Sequence, residues 1–212
     1  LVIQGYNSDT NSLFVSFRGS VNIPNWIDNI QISKINPYVD KNIQVEKGFY
    51  KAYNYLKPDI INNLQLLTTK YNTNRLFITG HSLGASMATL LAYDILTIYT
   101  GFQLSYLITF GSPRVGNPEF VSSFTKNNKG VSYRITHYYD IVPHVPEEFL
   151  GYRHISQEVW YNEPNTEYTL CDDENGNEDD NCSNSCSPTK CTSTSDHLDY
   201  LQIKMGEGGY CW

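Results

Sequence analysis

The chain has 212 residues, 40% of them hydrophobic and 14% aromatic, which is enough for one domain with a sizeable buried core. Its formal net charge of −7 disfavours nucleic acid and anionic membrane surfaces as partners. A run of about 18 apolar residues is absent, so we expect no transmembrane segment. The sequence opens at Leu1 in strand-like sequence without a signal peptide. We therefore expect a single domain over residues 1–212, trimmed at its N-terminus.

The first half of the chain alternates between strand and helix patterns. Two short apolar runs are typical of buried strands, and two longer runs carry apolar residues at helical spacing. In chain order, these elements are a strand at 13–17, a helix at 49–69, a strand at 75–79 and a helix at 85–99. Pro58 lies inside the first helix and is expected to break or kink it.

The second half continues the alternation with three strands. They are predicted at 104–110, at 131–140 with Asp140 at its end, and at 152–161, the last as an edge strand. The first of these ends in a loop rich in Gly and Pro at 111–118. Strands separated by helices and long connections predict an α/β sheet with crossovers.

Ser82 stands between Gly80 and Gly84, at the junction of a predicted strand and a predicted helix. In a nucleophile elbow, this spacing exposes a strained serine while the glycines let the strand and helix pass closely. The same three residues also suit an ordinary tight turn, so the motif by itself is weak. A nucleophilic serine further requires a base and an orienting acid elsewhere in the chain.

Asp140 is the candidate acid, since it comes just after a predicted strand and should emerge at a sheet edge; it could equally be a turn residue. Four histidines follow Ser82. His137 lies inside a strand, and His144 is too close to Asp140 in sequence to be its obvious partner. Spacing alone leaves His154 and His197 open as the base and favours His197, which follows a flexible loop.

Five cysteines lie in the C-terminal part of the chain, at positions 171, 182, 186, 191 and 211. They are interleaved with Asp, Asn and Ser, and no C-x-x-C pair occurs, so disulfides in an oxidising compartment are favoured over zinc. The simplest pairing is Cys171–Cys182 with Cys186–Cys191, which leaves Cys211 odd. The acidic segment 172–180 is interpreted as a solvated loop. A glycosylation sequon at 181–183 is consistent with secretion.

Seven segments of the chain resemble the class 3 (fungal-type) triacylglycerol lipase family. They occur in the family's order and cover nearly the whole chain. The segments are FRGS (17–20), NWIDNI (25–30), KGFYKAY (47–53), GHSLGAS (80–86), FGSPRVGNPEF (110–120), HYYDIVPHVP (137–146) and SDHLDY (195–200). Each match is modest by itself, whereas together they are specific.

The resemblance implies an α/β-hydrolase fold, with a mostly parallel central sheet flanked by helices and a short helical lid over the active site. It implies that Ser82 is the nucleophile, Asp140 the orienting acid and His197 the base. His154 matches a non-catalytic position of the family. No metal or cofactor is implied.

The resemblance also implies binding residues around the triad. The oxyanion hole would use Ser20 and Leu83. The positions that match the substrate groove or the lid are Trp26, His81, Val142, Pro146 and Leu198. From the sequence alone, each of these five could equally be a packing residue. The family's partner cysteine near the N-terminus is absent, so we expect Cys211 to be unpaired.

Residues 23–30 are the expected lid. Ile23, Trp26, Ile27 and Ile30 fall at helical spacing and form one apolar face. Without the resemblance, this face would be interpreted as an ordinary helix packed on the core. As a lid, it would cover the groove in water and turn its apolar face to lipid at an oil surface.

The sequence therefore predicts a secreted, metal-independent serine ester hydrolase. Its expected substrate is triacylglycerol at an oil–water interface. A feruloyl esterase or a phospholipase A1 on the same scaffold is the nearest alternative. A non-catalytic lipid-binding module is a more distant one, which the presence of a complete candidate triad disfavours.

Overall fold

A seven-stranded sheet organises the computed structural model of the chain, which describes residues 1–20, 22–28, 30, 32–155, 157–173, 178–186 and 190–205. Its strands, in chain order, are β1 (Val2–Asn7), β2 (Ser12–Phe17), β5 (Arg75–His81), β6 (Gln103–Phe110), β7 (Val131–His137), β8 (Glu158–Tyr161) and β9 (Tyr168–Leu170). Two small antiparallel ribbons pair β3 (Lys34–Ile35) with β4 (Val45–Glu46) and β10 (Asp199–Tyr200) with β11 (Ile203–Lys204).

Among the residues that the structure describes, five α-helices accompany the strands. They are α1 (Ile23–Asp28), α2 (Lys47–Tyr71), α3 (Leu83–Thr97), α4 (Pro118–Asn127) and α5 (Thr194–His197), with 3-10 turns at Val142–His144, Glu148–Leu150 and Ser183–Ser185. The long helix α2 begins where Glu46 accepts a hydrogen bond from the Phe49 N–H, and it ends at Asn72 in the left-handed conformation.

The sheet has the order β1-β2-β5-β6-β7-β8-β9. The five central strands are parallel, and β1 and β9 join the two edges antiparallel. Leu76 and Ile78 of β5 are fully buried, because alternate residues of a strand face the same side and this side meets α3. The fold is the α/β arrangement that the sequence predicts, with its main core between the sheet and helices α2, α3 and α4.

Two strand predictions are wrong in their limits. The strand predicted at 131–140 ends at His137, because Tyr138 has a φ of 35° and turns the chain away from the sheet. The edge strand predicted at 152–161 is β8 alone, and it lies between β7 and β9. The first part of the predicted range lies outside the sheet, since the Arg153 N–H donates to the carbonyl of Gly116.

Pro58 was expected to break or kink helix α2, and it does not break it. The helix continues through this residue over its full 25 residues. Pro58 and Asn54 are both exposed, so water can satisfy the Asn54 carbonyl, which loses its helical donor. The buried face of α2, with Tyr53, Ile60 and Leu64, packs on the core and holds the helix together.

The acidic segment 172–180 is not simply a solvated loop. Asp173 and Glu178 are buried in ion pairs with Arg134 and Arg114, respectively. The prediction of a solvated loop rested on composition, since acidic residues are rarely buried without an opposite charge beside them. The arginines that provide this charge are distant in sequence, so the composition of the segment does not reveal them.

Both expected disulfides, Cys171–Cys182 and Cys186–Cys191, are present. Both disulfides are local cross-links within the segment that follows β9. The expectation for Cys211 lies outside the described residues. No helix among the described residues is long and apolar enough to span a membrane.

The expected lid region forms the short helix α1, which is shorter than the predicted range 23–30. Ile23 is buried, and the ring of Trp26 stacks on Phe49 with a centroid distance of 6.0 Å. The apolar face of α1 therefore turns inward, and Ile30 follows the end of the helix.

Candidate active site

Ser82 occupies a strained turn between β5 and α3. Its φ of 59° and ψ of −130° are unfavourable for a residue with a side chain. The Ser82 N–H donates to the Phe110 carbonyl at 3.0 Å, which fixes the turn against β6. An added Cβ on Gly80 would collide with the backbone of Gly84, so the two glycines are required for this turn. This geometry is that of a nucleophile elbow.

Asp140 and His197 form a buried pair. The His197 Nδ1–H donates to both carboxylate oxygens of Asp140, at 3.0 and 2.9 Å. The Tyr200 hydroxyl donates to Oδ2, and the Val142 N–H donates to Oδ1 at 2.8 Å. Burial by itself would raise the pKa of Asp140, but these partners, His197 first, outweigh it and lower that pKa. Asp140 is therefore held as a carboxylate.

Two polar atoms of the site are buried and have no hydrogen-bond partner among the described residues: Ser82 Oγ and His197 Nε2. Both belong to the neighbourhood of residues 110–111. Ser82 bonds to the Phe110 carbonyl, and an added Cβ on Gly111 would lie 2.8 Å from the His197 ring. Buried atoms without partners are costly, and such atoms concentrate where a substrate completes the site.

His81 supports His197 directly. Its Nε2–H donates to the His197 carbonyl at 2.8 Å, and the two rings stack with a centroid distance of 4.5 Å. Burial, followed by the nearby charge of His197, lowers the pKa of His81 to about 4. His81 therefore stays neutral near pH 7 and holds its neighbour in place.

Of the two residues expected to form the oxyanion hole, Leu83 directly follows Ser82, and Ser20 is next to a residue that lies against Ser82. Leu83 is the first residue of α3, where a backbone N–H has no helical acceptor. Ser20 follows Gly19, on which an added Cβ would lie 2.9 Å from the Cβ of Ser82. Gly19 and the start of α3 are thus both close to Ser82.

The residues expected in the groove fall into two groups. Val142 comes two residues after Asp140, to which its N–H donates, and Leu198 directly follows His197 at the end of α5. Val142 and Pro146 are buried, whereas Leu198 is half-buried. Trp26 is half-buried on α1. Their role in binding stays a prediction.

Two of the other histidines, His154 and His137, make hydrogen bonds to backbone carbonyls instead. His154 donates from Nε2 to the Pro143 carbonyl at 2.8 Å, and burial holds its pKa well below the ordinary value. His137 contacts the carbonyls of Asp196 and Glu163, each at 3.0 Å. His197 is the histidine that the structure brings to Asp140.

Two residues of this site were not predicted from the sequence. Tyr200 follows His197 by three positions and binds Asp140, a role that only the fold at α5 and β10 reveals. Gly111 has a φ of 51° and leaves room for the His197 ring. The change from an apolar strand to Gly-Ser-Pro at 111–113 was the available signal for a tight turn here.

One group of three potential metal ligands occurs among the described residues, namely Glu158, Cys171 and Cys182. The two cysteines form a disulfide with each other, so neither offers the thiolate that a metal would bind. This group is therefore not a metal site.

Residues 14–150 match the family model described as lipase (class 3). The chain belongs to the class 3 lipase family. It is 33% identical to a lipase of Rhizomucor miehei over 97% of this chain and 56% of that protein. It is 36% identical to the secreted mono- and diacylglycerol lipase A of Penicillium cyclopium, over 74% of this chain and 50% of that protein. The chain thus spans about half the length of these relatives.

A solved structure supports the assignment of the fold. The chain matches, with a TM-score of 0.86 and 30% identity, the structure of a triacylglycerol lipase whose catalytic centre is formed by a serine protease triad. The match covers 97% of this chain and 77% of that one. The α/β-hydrolase fold expected from the sequence is thereby confirmed.

Proposed function

We propose that the protein is a secreted serine ester hydrolase that cleaves acyl-glycerol esters, as a triacylglycerol lipase does. The observation that carries this proposal is the strained, buried Ser82 beside the buried Asp140–His197 pair, with Ser82 Oγ and His197 Nε2 both lacking partners. The names of the relatives support glycerol esters as substrates. The two disulfides and the secreted relatives support an extracellular location.

In the proposed mechanism, Ser82 attacks the ester carbonyl while His197 Nε2 takes the hydroxyl proton. Asp140 accepts the Nδ1–H of His197, which orients the ring and stabilises the positive charge that it gains. His197 then gives the proton to the leaving alcohol. Water cleaves the acyl-enzyme by the same route, and no metal or cofactor takes part.

The negative charge on the carbonyl oxygen would be stabilised by the backbone N–H groups of Ser20 and Leu83, with the Ser20 hydroxyl as a third donor. One donor of this kind contributes on the order of 3 kcal/mol to transition-state stabilisation. The Leu83 N–H also lies at the N-terminus of α3, where the helix dipole favours negative charge.

The substrate assignment is tested by the rates of hydrolysis of tributyrin, triolein, a diacylglycerol, phosphatidylcholine and methyl ferulate. We expect the glycerol esters to be hydrolysed fastest. Preference for phosphatidylcholine or methyl ferulate would support a phospholipase A1 or a feruloyl esterase instead. Ser82→Ala is the control in each assay. An organophosphonate that labels the wild type but not Ser82→Ala would exclude a non-catalytic lipid-binding module.

We also propose that α1 is a lid over the groove. In water its apolar face, with Ile23 and Trp26, is covered; at an oil surface the helix would turn outward and bury this face in lipid. The rate on a triglyceride should therefore rise sharply above the solubility limit, and Trp26→Ser should blunt the rise while sparing a soluble ester. A smooth hyperbolic rate curve that Trp26→Ser leaves unaltered would mean that α1 is ordinary core packing.

A further inference from the structure

Beyond the triad, we propose that Glu178 is a positioning residue for catalysis: through Arg114 and His154, it fixes the chain segment that holds Asp140. This inference rests on the proposed function. It gives the acidic segment after Cys171 a role that its composition does not reveal.

The first link joins Asp140 to the segment that follows it. The Val142 N–H donates to Asp140 Oδ1 at 2.8 Å. Val142 also begins the 3-10 turn Val142–His144, so the position of its N–H depends on where this turn lies. Anything that fixes residues 143–146 thereby fixes one of the donors to the catalytic carboxylate.

The second link holds residues 143–146 by their carbonyl groups, four in succession. His154 Nε2–H donates to the Pro143 carbonyl at 2.8 Å. Arg114 serves the other three: Nη1 donates to the carbonyls of residues 144 and 146, at 2.8 and 3.2 Å, and its backbone N–H donates to that of residue 145 at 3.0 Å. Two of the four residues are prolines, which have no N–H to anchor the segment themselves.

The third link is Glu178, which binds both of these donors. Its Oε1 accepts from Arg114 Nε at 2.8 Å and its Oε2 from Arg114 Nη2 at 2.6 Å, a bidentate pair that orients the guanidinium plane. Oε1 also accepts the His154 N–H at 3.1 Å. Glu178 is thus the point at which the two anchors of the segment meet.

Burial and charge make this arrangement sensitive to change. The side chains of Arg114 and Glu178 are 4% and 5% exposed, so neither charge is compensated by water. Burial alone would raise the pKa of Glu178, but the Arg114 guanidinium outweighs it and lowers that pKa. Without the carboxylate, Arg114 would keep a buried charge with no counterion and would reorient, and the carbonyls of residues 144 and 146 would lose their donor.

The test compares Glu178→Gln with Lys57→Gln. Gln keeps the size of Glu178 but removes its charge. Lys57→Gln is the matched control, since it breaks the partly buried Lys57–Asp94 pair between α2 and α3, away from the proposed triad. The readouts are kcat and KM on soluble p-nitrophenyl butyrate, the melting temperature, and the NMR signal of the His197 proton bound to Asp140.

We expect Glu178→Gln to lower kcat by about tenfold, with KM changed by less than about twofold, because misplaced catalytic groups slow chemistry more than they weaken binding. Its His197–Asp140 proton signal should shift or broaden. Lys57→Gln should lower the melting temperature and leave kcat and the proton signal as in the wild type. Arg114→Lys, which keeps the charge but loses the bidentate fork, should behave like Glu178→Gln and replaces it if that variant does not fold.

The positioning role would be overturned if Glu178→Gln left both kcat and the proton signal unchanged. It would also be overturned if Lys57→Gln lost as much kcat as Glu178→Gln at the same loss of melting temperature. The proposed function fails separately, when the wild type hydrolyses no ester and Ser82 is not labelled. In that case the proton signal of the Glu178 and Lys57 variants decides on the positioning role by itself.

Discussion

Gly111→Ala should disable the proposed catalytic site through two costs that can be read from the structure. Gly111 has a φ of 51°, and holding an alanine in this left-handed region costs about 1–2 kcal/mol. The new Cβ would also lie 2.8 Å from the His197 ring and 2.9 Å from Asp140 Oδ2. Both groups are buried and hydrogen-bonded to each other, so neither can move away freely.

Overpacking of this kind typically costs a further 1–3 kcal/mol, so Gly111→Ala should lower the free energy of unfolding by about 2–5 kcal/mol. Displacement of the His197–Asp140 pair by several tenths of an ångström should lower kcat on a soluble ester by about 100-fold or more. The assays are chemical denaturation and initial rates on p-nitrophenyl butyrate.

Gly151→Ala is the matched control for the backbone cost. Gly151 has a φ of 76°, and the nearest atom to an added Cβ is Lys34 Nζ at 3.3 Å, the end of a flexible side chain. This variant should lose about 1–2 kcal/mol and keep kcat within about twofold of the wild type. If Gly111→Ala retained the wild-type kcat, the tight packing of Gly111 against the proposed triad would have no catalytic consequence, and the reasoning would be wrong.

Three further predictions concern the triad, the disulfides and pH. Ser82→Ala and His197→Ala should each lower the rate of ester hydrolysis by several powers of ten, with the fold intact by circular dichroism. His154→Ala should lower this rate by at most about tenfold, and the reverse order for the two histidines would refute the assignment of the base. Reduction of the Cys171–Cys182 disulfide, which closes an 11-residue separation, should lower the free energy of unfolding by about 3 kcal/mol. The melting temperature should therefore fall before activity at 25 °C declines, and free thiols found by mass spectrometry without reductant would contradict this. The pKa of His81 is lowered to about 4, so between pH 6.5 and pH 4 the unfolded state binds one proton more at this residue than the folded state, and the free energy of unfolding should fall with falling pH by up to about 1.4 kcal/mol per unit. A denaturation series in which His81→Gln has the same pH slope as the wild type would exclude this contribution.

The local parts of the fold could be predicted from the sequence, because local pattern determines them. The buried runs around Leu76 and Leu107 alternate as strands do, and the glycines at 80 and 84 mark a close strand-to-helix crossing. The pairing of neighbouring cysteines was likewise accessible, since short loops bring them together. Family membership, read from seven short segments, is confirmed by the family model.

Tertiary structure decided what depends on residues that are distant in the chain. Asp173 and Glu178 looked like solvated acids, and they are buried because Arg134 and Arg114 meet them from other elements. Spacing left two histidines open as the base, and the fold brings His197 to Asp140 across 57 residues. A side chain's charge and reactivity depend on its neighbours in space, and one-dimensional periodicity carries no information about which neighbours those are.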